Sequence, residues 1–376
     1  MPSLYKRITQ HFKTSNGADR WLCSIVVGLV AGGFLIFLSA SIGLLAREGA
    51  QFGSVTFSRL AAIIVGCGIG YATSVLHYKN LRRYALGLLF FSIILTALVF
   101  IPGIGVEHGG ARRWIAVFGL SFQPSEFLKI AFVIYGAAFF ASVKEKVQTV
   151  AYGLFPLLAL LGISGLLLLL QPDTDTFVAL FLAMIAMFLL AGGKLRHIGA
   201  IVVVGIVGLS ILVFSRPYLK ERLITFINPA SDPLGAGYQI QQSLIAIGSG
   251  GFLGKGFGQS VQKFSYLPEP IGDSIFAVAA EEFGFIGSFA LIVLFLAFLL
   301  RGFRIASHSP DLFSGLLSIG IVILIGASAF MNIASMLAII PLSGLPLAFV
   351  SHGGTALVIT LFEVGILLNI SRYQKS

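Results

Sequence analysis

Ten stretches of nearly unbroken apolar sequence alternate with short polar joints along this chain. Each is close to the roughly 20 residues that cross a bilayer as a helix. They run from Leu22 to Ala46, Phe57 to Val75, Tyr84 to Ile101, Pro124 to Ala141, Tyr152 to Leu170, Thr176 to Ala191, Ile198 to Phe214, Ser274 to Leu300, Phe313 to Ile340 and Thr355 to Ile370. The pattern predicts an all-α integral membrane protein of about ten transmembrane helices, forming one membrane domain over 21–371. Residues 1–20 make a polar arm before it and 372–376 a short tail. One interruption is large: the loop 215–273, between helices 7 and 8. Within it, Asn228 to Pro233 reads as a turn cluster, Ala236 to Ile247 as a short amphipathic helix, and Gly248 to Gly258 as a glycine-rich segment.

Composition agrees with a membrane protein: 57% of residues are hydrophobic, 11% are charged, and the mean hydropathy is +0.97. A soluble domain does not look like this. Lys and Arg collect at every second boundary: Lys6, Arg7, Lys13 and Arg20; Lys79, Arg82 and Arg83; Lys144 and Lys146; Lys194 and Arg196; Arg301 and Arg304; Arg372 and Lys375. The positive-inside rule then puts both termini in the cytoplasm and the large loop outside. The alternate joints carry little beyond Arg47, Arg112 and Arg113. The net charge of +10 therefore reports topology, and nucleic-acid binding has no support. The first apolar run is longer than a signal-peptide core and lacks a clean cleavage site, so it reads as a retained anchor. Cys23 and Cys67 lie in or beside spans and read as buried structural thiols, without disulfide or metal-ligand spacing.

The candidate chemistry sits where polar loops meet apolar segments. Asp273 stands at such a junction, and a carboxylate there is costly unless a cavity, a cation or a reaction partner awaits it. At about 100° per residue, Glu281 falls within roughly 80° of Asp273's face and Glu282 points away. Glu281 is thus the second cavity candidate, with a structural ion pair as its competing role. The segment GSGGFLGKGFG invites an anion-cradle reading. It is no nucleotide loop, because Ser249 and Gly256 occupy positions that need Gly and Ser or Thr. A helix-flanking turn and a pyrophosphate contact through Lys255 or backbone amides both remain open. Arg112 and Arg113 precede Trp114 and suit either interfacial anchoring or phosphate recognition. Glu126 and Lys129, three apart, form an intrahelical pair or line a polar cavity. Asp173 and Asp175 follow a Gln171–Pro172 break. Glu363 reads as a structural carboxylate, and Gly66 with Gly70 allows close helix packing.

Several long motifs in a fixed order resemble the SEDS family of shape, elongation, division and sporulation proteins, most closely its division branch. They are GARRWI from Gly110, QPSEFLK from Gln123, QPD from Gln171, GYQIQQSLIAIGSGGFLGKGFGQSVQKFSYLPE from Gly237, Asp273 with IFAV and EE, and SHGGTAL from Ser351. The resemblance covers the chain from about Trp21 onward. It implies a peptidoglycan glycosyltransferase that polymerises lipid II on the outer face of the bacterial cytoplasmic membrane, at the division septum. It also implies a class B penicillin-binding protein as partner, alongside other division proteins, with lipid II and a growing lipid-linked glycan as substrates. Asp273 matches the family's essential extracellular aspartate. The chain departs from the family pattern at Ile271 and Gly272, at Ala348, at His352, and at Thr174 and Asp175.

Glycan extension needs an acceptor hydroxyl made nucleophilic and a leaving group whose developing charge is stabilised. Asp273 is the expected general base, a role worth about 10²- to 10⁴-fold in rate. Cations around the outer cavity are expected to stabilise the pyrophosphate, with Arg113 and Lys129 ranked ahead of Arg216, Lys255 and Lys263. No cofactor is required. A magnesium or manganese ion is compatible with the leaving group, though no carboxylate cluster has the spacing of a dedicated site. Three alternatives stay open: an elongation-type polymerase, a flippase of lipid-linked precursors and a non-catalytic division scaffold.

Overall fold

The computed structural model describes residues 17–48, 52–108, 111–117, 120–229 and 235–374. Lys6, Arg7, Lys13, Gly110, Lys375 and most of the Asn228 to Pro233 turn lie outside them. Among the described residues, thirteen α-helices follow in chain order: α1 (Arg20–Glu48), α2 (Phe52–Val75), α3 (Lys79–Ala97), α4 (Pro124–Val143), α5 (Phe155–Leu170), α6 (Thr174–Leu190), α7 (Leu195–Ser215), α8 (Pro217–Ile227), α9 (Ala236–Ser249), α10 (Gln262–Ser265), α11 (Ile275–Ser307), α12 (Leu312–Met336) and α13 (Gly354–Ser371). Among the described residues, nine helices are long and apolar enough to cross a membrane, and α6, at 17 residues, is a shorter apolar tenth. The all-α membrane architecture read from the sequence is the architecture observed.

Two departures are local. The joint after α3 is a small antiparallel sheet, β1 (Gly105–His108), β2 (Ala111–Val117) and β3 (Leu120–Phe122), in order β1-β2-β3. Its strand β2 carries Arg113, at a joint that the hydropathy pattern reads only as a loop. Helix α12 stops at Met336, four residues before the apolar run does, and 337–353 continues as irregular backbone.

α12 is the hub of the bundle, packed against α4, α6 and α11. A capping box at its start fits this role: Asp311 accepts from the Ser314 amide at 2.9 Å, and the Ser314 hydroxyl faces the Asp311 amide at 3.3 Å. α2 and α13 form a tight pair. The pair Gly66 and Gly70 makes this approach feasible, since a Cβ on Gly70 would sit 2.8 Å from the Leu361 carbonyl oxygen. α7 stands apart, with 6% of its apolar window buried. Cys23 and Cys67 are exposed on the outer faces of α1 and α2, which corrects the buried reading. On helices that face lipid, a small apolar thiol has no need of protein neighbours.

The glycine-rich segment packs on α11 where that helix breaks at Gly284 (φ 64°). The amides of Phe285 and Ile286 leave their helical acceptors and donate to the carbonyls of Gly251 and Phe252, at 2.8 and 3.2 Å. In exchange, the amides of Lys255 and Gly256 donate to the freed carbonyls of Glu281 and Glu282, both at 3.0 Å. Two helical bonds are thus replaced donor for donor. Gly254 (φ 80°) permits the approach, since a side chain there would enter the α11 backbone.

Candidate active site

Asp273 lies just before α11, whose N-cap is Ser274. Its backbone is clamped from three sides. Asn332 on α12, fully buried, donates through one nitrogen to the carbonyls of Asp273 (2.8 Å) and Leu345 (2.9 Å). Ser351 donates to the Gly272 carbonyl at 2.7 Å while its oxygen accepts from the Leu347 amide at 2.8 Å. The His352 amide donates to the Ile271 carbonyl at 2.7 Å. Gln239 on α9 reaches the Ser274 hydroxyl at 3.0 Å, tying the large loop to the same point.

The clamp has its own support. Arg59 on α2, 2% exposed, donates to the carbonyls of Phe349, Val350 and Ser351. An arginine satisfies three consecutive carbonyls because its donors are splayed in one plane. Behind this turn lies a small cavity of about 30 Å³, lined in part by Arg59, Glu126, Lys129 and Glu363. It has room for about one water.

Four charged side chains surround Asp273. Glu269 folds over the preceding residue, so that a Cβ on Gly272 would lie 3.1 Å from its carboxylate. Arg113, Asp175 and Arg222 converge near Gly344, each within 3.9 Å of where a Cβ there would stand. Asp175 accepts from Arg222 at 3.0 Å and from the Gly344 amide at 2.9 Å. Arg113 differs from Arg222 in an important way. Its Nε donates to the Gln171 carbonyl at 2.9 Å and a terminal nitrogen donates to the Pro172 carbonyl. Neutral carbonyls fix the guanidinium without cancelling its charge, whereas Arg222 is paired with a carboxylate.

This setting changes the acidity of Asp273. Burial pushes its carboxyl up from the ordinary 3.8 to about 7, the Glu269 and Asp175 carboxylates push the same way, and Arg222 and Arg113 pull back. Its side chain is nonetheless half-buried, not sealed, so one face of it is accessible from the protein surface. A carboxyl with a near-neutral pKa and an accessible face suits proton transfer.

The other sequence-derived candidates lie elsewhere. Lys129 is buried on α4 and paired with Glu126 at 2.8 Å. Lys255 pairs with Glu281 at 2.6 Å, and the fully buried Lys263 pairs with Glu282 at 2.6 Å and with Ser39 of α1 at 2.9 Å. Glu281 also accepts from the Ser260 hydroxyl and from the amides of Val261 and Gln262. Of its two expected roles, the structural ion pair is the one observed, with Lys255, and the place beside Asp273 is not: Asp273 precedes the helix, so helical periodicity does not relate the two, and Glu281 anchors the returning loop. Arg216 is exposed at the start of α8. Arg222 and Glu269 were not singled out from the sequence. Arg222 on α8 lies in no motif that would flag it, and Glu269 closes the long motif from Gly237 with nothing there to mark it apart from its neighbours. Among the described residues, no group of three or more His, Cys, Asp or Glu side chains is placed to hold a metal ion.

A bundle of membrane-length helices that holds the half-buried Asp273 carboxyl between arginines, just before a spanning helix, defines a polytopic membrane protein with a charged site at one end of the bundle. The chain belongs to the FtsW, RodA and SpoVE family of cell cycle proteins, whose sequence model matches residues 20–376. The stage V sporulation protein E of Bacillus subtilis is 38% identical, over 86% of this chain and 88% of the relative. A probable peptidoglycan glycosyltransferase FtsW of Trichlorobacter lovleyi is 40% identical, over 94% of this chain and 93% of the relative. Among solved structures, a chain of a peptidoglycan synthase complex that coordinates polymerization and crosslinking aligns with a TM-score of 0.76 at 27% identity, covering 95% of this chain and 99% of that one. The rod shape determining protein RodA of Thermus thermophilus aligns with a TM-score of 0.69 at 25% identity, covering 95% and 98%.

Proposed function

We infer that this protein is a peptidoglycan glycosyltransferase that polymerises lipid II, with Asp273 as the general base. The observation that carries the reading is the half-buried Asp273 carboxyl, raised to about 7 and flanked by Arg113 and Arg222. In the proposed step the acceptor sugar's hydroxyl gives its proton to the Asp273 carboxylate, and the oxygen forms a bond to the donor's anomeric carbon. The bond from that carbon to the lipid pyrophosphate breaks, and its electron pair leaves with the phosphate oxygen. Arg113, held by carbonyls and carrying uncancelled charge, stabilises the departing pyrophosphate, as preorganised cations do at developing negative charge. Of the cations expected to meet the pyrophosphate, Arg113 keeps that role, whereas Lys129, Lys255 and Lys263 are held in ion pairs within the protein.

The relatives' names support peptidoglycan synthesis, and the similarity to a chain of a peptidoglycan synthase complex supports a class B penicillin-binding protein as partner. The basic joints Lys79 to Arg83, Arg301 to Arg304 and Arg372 support cytoplasmic termini and an outward-facing Asp273 in the cytoplasmic membrane. The division septum is the proposed location, on the form of the Gly237 to Glu269 motif. The test is polymer formation from externally supplied lipid II by the purified protein with its partner, wild type against Asp273→Asn. Loss of polymer in the variant supports the base role. Equal polymer from both discards it, and movement of precursor across the bilayer without polymer replaces the enzyme reading with a flippase.

A further inference from the structure

A groove at the opposite end of the bundle from Asp273 is unrelated to the reaction. It lies between α3 and the tight α2–α13 pair, has a volume of about 280 Å³, and is walled by Leu76, Leu81, Tyr84, Leu88, Phe362 and Ile366. Its floor is made firm by polar contacts: Asn369 on α13 accepts from the Tyr78 amide at 3.0 Å and donates to the Ser74 carbonyl at 2.9 Å. Tyr78 is further fixed by a 2.6 Å bond to Asp311, which caps α12. The glycines that let α2 and α13 touch leave α3 outside that contact, so the groove is a gap between packed units and no flaw in a packed core.

The groove is apolar, and the basic start of α3 lies beside it. Lys79, Arg82 and Arg83 open α3, and among the described residues neither Arg82 nor Arg83 forms an ion pair. Arg83 lies over the ring of Tyr84, itself a groove wall, at 5.8 Å. Arg82 lies over Phe313 at 5.9 Å, and Phe313 stacks on Tyr78. The guanidinium groups are thus held on aromatic faces, one on the groove wall Tyr84 and one on Phe313 next to Tyr78, and among the described residues neither has a carboxylate within ion-pair distance. An apolar slot continuous with a spanning helix, ending at unpaired arginines, is complementary to a molecule with a hydrocarbon tail and an anionic head.

We propose that this groove binds one anionic glycerophospholipid, an acyl chain lying along α3 and the phosphate held by Arg83 and Arg82. The bound lipid fills the gap between α3 and the α2–α13 pair. A zwitterionic lipid offers the same chains without net charge, and a diacylglycerol offers chains without phosphate. The preference among them reads the two halves of the site separately.

The full-length protein, purified in mild detergent and stripped of lipid, would be titrated with phosphatidylglycerol, phosphatidylcholine or diacylglycerol. Retained lipid is counted by native mass spectrometry and the Tm is followed alongside. Wild type is expected to retain one phosphatidylglycerol roughly tenfold more tightly than phosphatidylcholine. The double variant Arg82→Gln, Arg83→Gln loses that preference, and Leu88→Trp, which fills the groove, loses retention of both lipids. Equal binding of phosphatidylglycerol and phosphatidylcholine by wild type overturns the proposal, as does an unchanged preference in the arginine variant. Wild-type retention by a folded Leu88→Trp does so as well. The arginines are exposed, so their variant decides the matter if Leu88→Trp fails to fold. Polymerisation with Asp273 intact is expected in every folded variant, which keeps this test separate from that of the catalytic reading.

Discussion

Polymerisation by the wild-type protein should fall roughly tenfold as the pH drops from about 8 to about 6, and Glu269→Gln should move that fall to lower pH. The base works only when ionised, and a carboxyl with a pKa of about 7 is about nine-tenths ionised at about pH 8 and about one-tenth at about pH 6. Burial is the largest cause of the raised value, and the Glu269 carboxylate is the next. Glu269 is exposed and folds over Gly272, so its replacement by glutamine removes a like charge without opening a core. The acid limb then shifts downward but stops short of 3.8, since burial remains. The linkage to stability has the opposite sign from that of a salt-bridged carboxylate. The folded state holds this proton more tightly than the unfolded chain, so stability declines as pH rises from about 4 through about 7. A shift from 3.8 to about 7 sets an upper bound of about 4 kcal/mol, reduced because the side chain is partly in solvent. Asp273→Asn should therefore abolish polymer while raising the Tm, more at about pH 8 than at about pH 5. The assay is the initial rate of glycan formation at saturating lipid II across that range, with thermal unfolding on the same samples. A flat rate profile, or an upward shift in Glu269→Gln, would refute the reasoning.

Arg113→Lys should reduce polymerisation by about 10- to 100-fold with little change in Tm, because one ammonium cannot hold both carbonyls and still present its charge in the same place. Asn332→Ala leaves the Asp273 and Leu345 carbonyls without their shared donor, costing about 1–3 kcal/mol in chemical unfolding and lowering kcat more than it changes KM. Glu281→Gln removes the charge paired with Lys255 and should lower stability by about 3 kcal/mol, visible as faster proteolysis of the Gly250 to Gly258 segment. Gly284→Ala puts a Cβ 2.7 Å from the Phe252 carbonyl oxygen at a positive φ, and loss of folded protein in size-exclusion chromatography is the expected outcome.

The spans and the fold class were legible in the sequence because crossing a bilayer demands long apolar helices, and that demand is local and one-dimensional. Asp273 was legible for a related reason: a carboxylate at an apolar boundary stands out without knowledge of its neighbours. Its surroundings were not legible. Arg222 and Asp175 lie 51 and 98 residues from it in sequence, by subtraction of their numbers, and reach it only because α6, α8 and the 337–353 backbone meet there. Glu281, eight residues along, looked nearer and instead turned to Lys255, because the helix starts after Asp273 and a glycine loop claims the glutamate. Residue type and hydropathy determined what this protein is built from and where it crosses the membrane. Which charges pair off and which remain to act was decided only by tertiary packing, since a buried charge is neutralised by whatever the fold brings within a few ångströms.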